Sequence, residues 1–241
     1  LLLNCDLGEF ESDEIDAAVM PYIDQANIAC GFHAGNEHTM LRTLQLAKKY
    51  GVHVGAHPSY PDRENFGRRS MDCSRQQITD LIHQQLNLLK TLADSLAVTV
   101  SYVKPHGALY NDMMSNADLR SAVMAAVAEY PALLLMLQAT PENQIHQQEA
   151  AGHGITLLFE AFADRCYTDD GLLLARSNPA AVHNQQKTLQ QVQQLCQHNS
   201  VTSLSGQALL VDADSLCVHG DNQRAVKVIS EIKQLVDGLI R

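Results

Sequence analysis

The sequence predicts an α/β fold, a seven-stranded β/α barrel of the TIM-like kind, and three observations carry that expectation. Short apolar runs alternate with longer helical patterns along the whole chain, the signature of a mainly parallel sheet with helical crossovers. Nearly every apolar run ends in polar, reactive residues, as in a barrel whose site gathers side chains from the C-terminal ends of many strands. Neither G-x-G-x-x-G nor G-x-x-x-x-G-K-[ST] occurs, although an open doubly wound sheet usually carries a glycine-rich phosphate fingerprint.

Seven runs read as strands: LLLNC, ANIAC, VHVGA, TVSYV, ALLLML, ITLLF and SLCV, rich in Val, Ile and Leu and bounded by turn residues. Between them, EHTMLRTLQLAKKYG, SRQQITDLIHQQLNLLKTLADSL, ADLRSAVMAAVAEY, PENQIHQQEAAG, PAAVHNQQKTLQQVQQLC and NQRAVKVISEIKQLVDGLI space their apolar residues as helices do. Ser74 with Gln77 forms a capping box. Thr140–Pro141 and Asn178–Pro179 each read as an N-cap followed by proline at the first helical position. Gly51 and Gly152 stand where helices need a C-cap. The stretch SLSGQALLVDADSLCV holds two apolar runs, which a hairpin before the last barrel strand explains. With no linker, low-complexity tract or internal repeat, residues 1–241 read as one β/α-barrel domain.

The 241 residues are 46% hydrophobic and 18% charged, enough to bury a substantial core without staples. A formal net charge of -10, from 17 basic and 27 acidic residues, and the lack of any basic run exclude nucleic acid and anionic membrane as expected partners. The six cysteines are scattered, with no C-x-x-C pair, and suit a reduced, cytoplasmic setting. Because LLLNCDLGE has no basic region and leads into no long apolar segment, neither a signal peptide nor a membrane span is expected.

Chemistry collects at the strand ends. Residues two apart on a strand share a face, so Asn4 and Asp6 point the same way in LLLNCDLGE. His33 follows ANIACGF, and His57 ends VHVGAH. Lys104 and His106 share a face in VKPHGALYN, where Pro105 and Gly107 aim them into the barrel mouth. FEAFADR offers Glu160, Asp164 and Arg165; CVHGDN offers His219 and Asp221. The loop NFGRRSMD brings Arg68 and Arg69 beside Gly67, a pairing suited to holding a carboxylate or phosphate.

Plainer readings accompany these. Asp6 and Glu160 serve equally well as hydrogen-bond acceptors for turns, Asp221 as the cap of the last helix, and the arginines as surface ion pairs. His53 and His57 cannot bind one ion, since four strand residues span roughly 13 Å; His53 reads as structural, and Cys30 and Cys217 as core. Two chemistries fit the constellation. Asp6, His33 and His57 bind a divalent metal that activates water, or Asp6 acts as a base while Lys104 and His106 stabilise charge on a carbonyl or phosphoryl oxygen.

LNCDLGE, ANIACGFHAGN, GAHPSYPDRENFGRR, VKPHGALYN, FEAFADRCYTDDGLLLAR and CVHGDN together resemble the LamB/YcsF family, in order, from the first residues to the final helix. The resemblance implies a seven-stranded barrel related to the glycoside hydrolase/deacetylase group. It also implies ATP-dependent opening of the 5-oxoproline lactam to glutamate by the A component of a 5-oxoprolinase, working with subunits B and C. ATP enters by that resemblance alone, with a divalent ion such as magnesium accompanying it. Joined to the strand ends, it assigns Asp6, His33, His57, Lys104, His106, Glu160 and His219 to catalysis. Asn4, Arg68, Arg69, Asp164, Arg165 and Asp221 are assigned to substrate or phosphate. Asn36 and Glu37 depart from the acidic residue and proline that the family pattern leads one to expect, which touches only how the next helix starts. Two alternatives remain open: a metal-dependent amide or acetyl hydrolase acting without partners, and a non-catalytic barrel that binds a lactam or carbohydrate. Against sugar stacking stand an aromatic content of 5% and the lack of tryptophan.

Overall fold

Seven parallel strands close into a barrel in the computed structural model, which describes residues 1–219 and 223–239. They are β1 (Leu2–Leu7), β2 (Gln25–Ala29), β3 (His53–His57), β4 (Val100–Val103), β5 (Leu134–Gln138), β6 (Leu157–Phe162) and β9 (Ser215–Cys217), in that order around the barrel. Closure pairs Asn4 with Cys217 on one side of β9 and Phe162 with Cys217 on the other. All five residues of β2 are buried, as expected of a strand covered on both faces.

Helices α1 (Glu14–Val19), α2 (Glu37–Tyr50), α3 (Arg75–Ser95), α4 (Gly107–Ser115), α5 (Ala117–Ala128), α6 (Asn143–Gly152), α7 (Gln185–His198) and α8 (Gln223–Leu239) accompany the strands. The Ser74–Gln77 capping box opens α3, which buries Ile78, Leu81, Ile82, Leu86, Leu89 and Ala93 at helical spacing. Asn36 opens α2 through a reciprocal box with Thr39, so the departure noted in the sequence still yields a capped start. Gly51, at φ 70°, ends that helix as expected.

Several local expectations are corrected. α7 starts at Gln185 with Asn184 as its cap, because residues 178–181 form a turn instead. After α6 the left-handed position falls to Gly154, at φ 71°, and not to Gly152. The Thr140 hydroxyl does accept from the Glu142 amide, but α6 begins at Asn143. α1 and α4 were not legible as helices. The hairpin before the last barrel strand is present: β7 (Ser200–Thr202) pairs antiparallel with β8 (Ala208–Leu210).

Inside the barrel lies a buried polar layer. Tyr102 Oη donates to Asn27 Oδ1 at 2.7 Å, and Asn27 Nδ2 donates at 2.8 Å to both Asn4 Oδ1 and Asp6 Oδ1. Asn4 Nδ2 in turn donates to Ser215 Oγ at 2.8 Å and to Glu160 Oε2 at 3.2 Å. Space for Tyr102 is made by Gly55, where a Cβ would sit 2.1 Å from the ring. The strand interior is thereby a set of fixed dipoles directly under the barrel mouth.

Candidate active site

Lys104 stands at the centre of the mouth. Its ammonium lies 3.0 Å from Asp6 Oδ1 and 3.1 Å from Glu160 Oε2, with Asn4 Oδ1 at 3.3 Å and Cys217 Sγ at 3.2 Å. Burial alone would lower the lysine pKa; Asp6, then Cys217 and Glu160, hold it well above the ordinary value. For Asp6 burial alone would raise the pKa, yet His57 and Lys104 keep the carboxyl well below the usual range. One buried cation thus serves two carboxylates, and Asp6 is the one that reaches the cavity.

Three imidazoles pack beside this floor. His33 and His106 stack at 3.8 Å, and His57 meets each of them edge-on. Burial lowers the pKa of both His33 and His106 well below the ordinary histidine value. Gly67, at φ 65°, lets the NFGRR loop lie against them, since a Cβ there would sit 2.9 Å from His33 Cβ. Gly8, at φ 72°, turns the chain after β1 and sets Glu9 over the same cluster, 3.4 Å from His33 Nε2. Burial, with Asp6 adding to it, pushes the Glu9 carboxyl up to about 7.

The cavity above, of about 580 Å³, is lined by Asp6, Glu9, His57, Lys104 and His106 together with Arg68, Arg165, Arg176 and His219; Arg68 lies over the Phe66 ring beside the imidazoles. His219 Nδ1 donates to both oxygens of Asp164 at 3.0 Å, which leaves Nε2 to accept from Arg176 Nη2 at 3.0 Å. Arg165 is buried and donates to the carbonyls of Ala181 and Leu174, tying down the loop that carries Arg176. Leu7, Phe10, Ile15, Phe162, Leu173 and Leu174 add apolar wall. A small ligand with one anionic group and a polarised carbonyl suits such a chamber.

The expected residues divide into those that line the cavity and those that support it. Asp6, His57, Lys104, His106, Arg68, Arg165 and His219 line it. Asn4 and Glu160 lie beneath, wholly buried, and hold Lys104; they touch no cavity surface. His33 lies behind His106, and Asp164 behind His219. Arg69 is a correction: it is exposed and off the cavity wall, its amide donating to Asp62. His53 is exposed at the start of β3, and Cys217, although core, contacts Lys104. Asp221 lies outside the described residues.

The metal set Asp6, His33 and His57 is also corrected. The donor atoms that all lie within 4.8 Å of one another belong to Glu9, His33, His57 and His106, while Asp6 is grouped with Cys217 and His219 around Lys104. Glu9 and Arg176 were missed in the sequence. Both stood inside quoted motifs, but each lies beyond its strand, where alternation gives no side-chain direction. Among the described residues no helix is long and apolar enough to cross a membrane.

A model of the LamB/YcsF family matches residues 1–238. A Pseudomonas putida protein named as a 5-oxoprolinase A subunit is 50% identical over 244 residues, covering 99% of this chain and 95% of that protein. The 5-oxoprolinase A subunit of Vibrio cholerae is 47% identical over 239 residues, with coverage of 98% and 97%. The crystal structure of a lactam utilization protein from Thermus thermophilus superposes with a TM-score of 0.88 at 30% identity, covering 99% of this chain and 96% of that one. The chain belongs to the LamB/YcsF family.

Proposed function

We propose that this chain is the A component of an ATP-dependent 5-oxoprolinase and that its barrel mouth opens the lactam of 5-oxo-L-proline to give L-glutamate. Subunits B and C are the partners in this reading, and the setting is the cytoplasm. The observation that carries it is the pairing of an ionised Asp6, pinned to Lys104 on the cavity floor, with Arg68 and Arg176 lining the same cavity, in a chain about half identical to a protein named for that activity.

A lactam is a poor electrophile. Transfer of the γ-phosphoryl group of ATP to its carbonyl oxygen, with release of ADP, opens the ring carbon to water. The C–N bond breaks as the nitrogen takes a proton, and the acyl phosphate so formed is hydrolysed by a second water to the glutamate carboxylate and phosphate. Arg68 and Arg176 hold anionic groups, the substrate carboxylate or the phosphoryl oxygens. Asp6 takes the proton of the attacking water and passes it to the ring nitrogen as the C–N bond breaks. Lys104 supplies positive charge below the reacting carbon and fixes Asp6, while Asn4 and Glu160 act through Lys104. His219, with both ring nitrogens engaged, positions Arg176.

The test mixes the chain with candidate B and C subunits, 5-oxoproline and ATP, and follows glutamate alongside phosphate. Glutamate that forms only with partners and nucleotide, matched by phosphate, is the expected result. Amide hydrolysis by the isolated chain without ATP would replace this reading with the stand-alone hydrolase.

A further inference from the structure

We propose that Glu9, His33, His57 and His106 form a binding site for one divalent transition-metal ion of the zinc class, separate from any ion that travels with a nucleotide. The inference goes beyond the lactam reading and is tested without it.

Hydrogen-bond partners fix the tautomer of each ring. His57 Nδ1 lies 2.6 Å from the Lys104 carbonyl, which only accepts, so Nδ1 carries the proton and Nε2 a lone pair. His106 Nε2 lies 2.9 Å from the Phe66 carbonyl, which leaves the lone pair on Nδ1. The Ser59 hydroxyl donates to the Tyr60 carbonyl at 3.0 Å, so it accepts from His33 Nδ1 at 3.0 Å, and His33 Nε2 holds a lone pair. That atom is buried without a hydrogen-bond partner. The three nitrogens that carry lone pairs and the Glu9 carboxyl thus all lie within 4.8 Å of one another.

Two of those lone pairs, on His57 Nε2 and His106 Nδ1, are only 2.9 Å apart, a repulsive contact unless a cation lies between them. A proton satisfies that pair and leaves His33 Nε2 facing only the Glu9 carboxyl, at 3.4 Å. One metal ion answers all three nitrogens and the carboxylate at once. Bonds of about 2.0–2.1 Å in a tetrahedral site put donors roughly 3.3 Å apart. Here His57 and His106 are 2.9 Å apart, His33 and Glu9 3.4 Å, and His106 and Glu9 4.0 Å. Because His33 and His106 are stacked with an interplanar angle of 7°, binding tilts one ring out of the stack about its outer hydrogen bond to Ser59 or to the Phe66 carbonyl. Outer nitrogens tied to carbonyls and a hydroxyl are what ligating histidines use to hold their orientation. Imidazoles with one carboxylate select zinc, iron, cobalt or manganese over the oxygen-seeking magnesium and calcium.

The chain is stripped with a chelator, dialysed and titrated with Co²⁺, then with Zn²⁺, with metal content measured by plasma mass spectrometry. One ion per chain is expected, with a visible Co²⁺ band that Zn²⁺ abolishes and a raised melting midpoint. Ser59→Ala leaves every ligand in place but frees His33 to change tautomer, and weakens binding about 10–100-fold. Glu9→Gln and His57→Gln weaken it at least as much, with folding checked by circular dichroism, while His53→Gln at the far end of β3 leaves it unchanged. Less than one ion per two chains in the wild type, or equal binding by the Glu9→Gln and Ser59→Ala variants, overturns the site.

Discussion

Replacing Lys104 by methionine removes the cation shared by the cavity-facing Asp6 and the wholly buried Glu160, and the structure says which of them suffers. Asp6 keeps Asn27 Nδ2 at 2.8 Å and faces the cavity, so its charge retains a donor and access to solvent. Glu160, whose side chain is 0% exposed, is left with neutral neighbours, Asn4 Nδ2 at 3.2 Å and the Tyr110 hydroxyl. Breaking a buried ion pair from one side costs about 3–5 kcal/mol, and Lys104→Met belongs at the upper end because one cation served both groups. Adding Glu160→Gln removes the stranded charge and restores about 2–3 kcal/mol of that loss. Urea unfolding at pH 7 of the wild type, both single variants and the double variant measures the coupling. The gap between wild type and Lys104→Met narrows in acid. Asp6 has a lowered folded pKa, so its stabilisation is complete above the unfolded value of about 3.9 and is lost as pH falls through the lowered one. A loss below about 1 kcal/mol for Lys104→Met, or a double variant weaker than the single, refutes the shared-cation account.

Arg176→Ala is expected to raise KM for 5-oxoproline in the assembled complex by about tenfold or more, the worth of a hydrogen bond to a charged group, while barely changing turnover of 2-pyrrolidinone, which has no carboxylate. Equal effects on both lactams would take Arg176 out of anion binding. Burial alone would raise the Asp164 pKa, but His219 and then Arg165 hold it below the ordinary value. Its stabilisation is therefore complete above about pH 4 and is lost as pH falls through the lowered value. Asp164→Asn accordingly flattens the acid limb of a urea-midpoint profile below about pH 4, and an unaltered limb contradicts it. Gly55→Ala puts a methyl 2.1 Å from the Tyr102 ring and costs about 3 kcal/mol by thermal unfolding, part of which Tyr102→Leu returns.

Much of the barrel was legible because parallel strands buried on both faces read as continuous apolar runs, and all seven were placed. Helix starts were legible where a side chain caps the backbone, as at Ser74, and were misread where proline suggested a start, as at Pro179. α4 stayed hidden because GALYNDMMS carries a weak apolar stripe and begins on a glycine directly after the strand-end histidine. Within the site, position at or just past a strand end picked out Asp6, His57, Lys104 and His106, which line the cavity. It could not separate cavity from foundation: Asn4 and Glu160 share the inward face with these residues but lie one layer deeper. Glu9 depends on the turn at Gly8, and Arg176 on a loop held by Arg165, two long-range outcomes that local spacing does not encode.

The most direct measurement compares glutamate release by the assembled complex carrying wild-type chain with release by the same complex carrying Asp6→Asn, a change that keeps size and hydrogen bonding but removes the base. With folding and assembly intact, the account predicts a fall of at least about 100-fold, the lower bound for losing a positioned proton acceptor. Undiminished glutamate from the Asp6→Asn complex would mean that lactam opening takes place somewhere other than this barrel mouth.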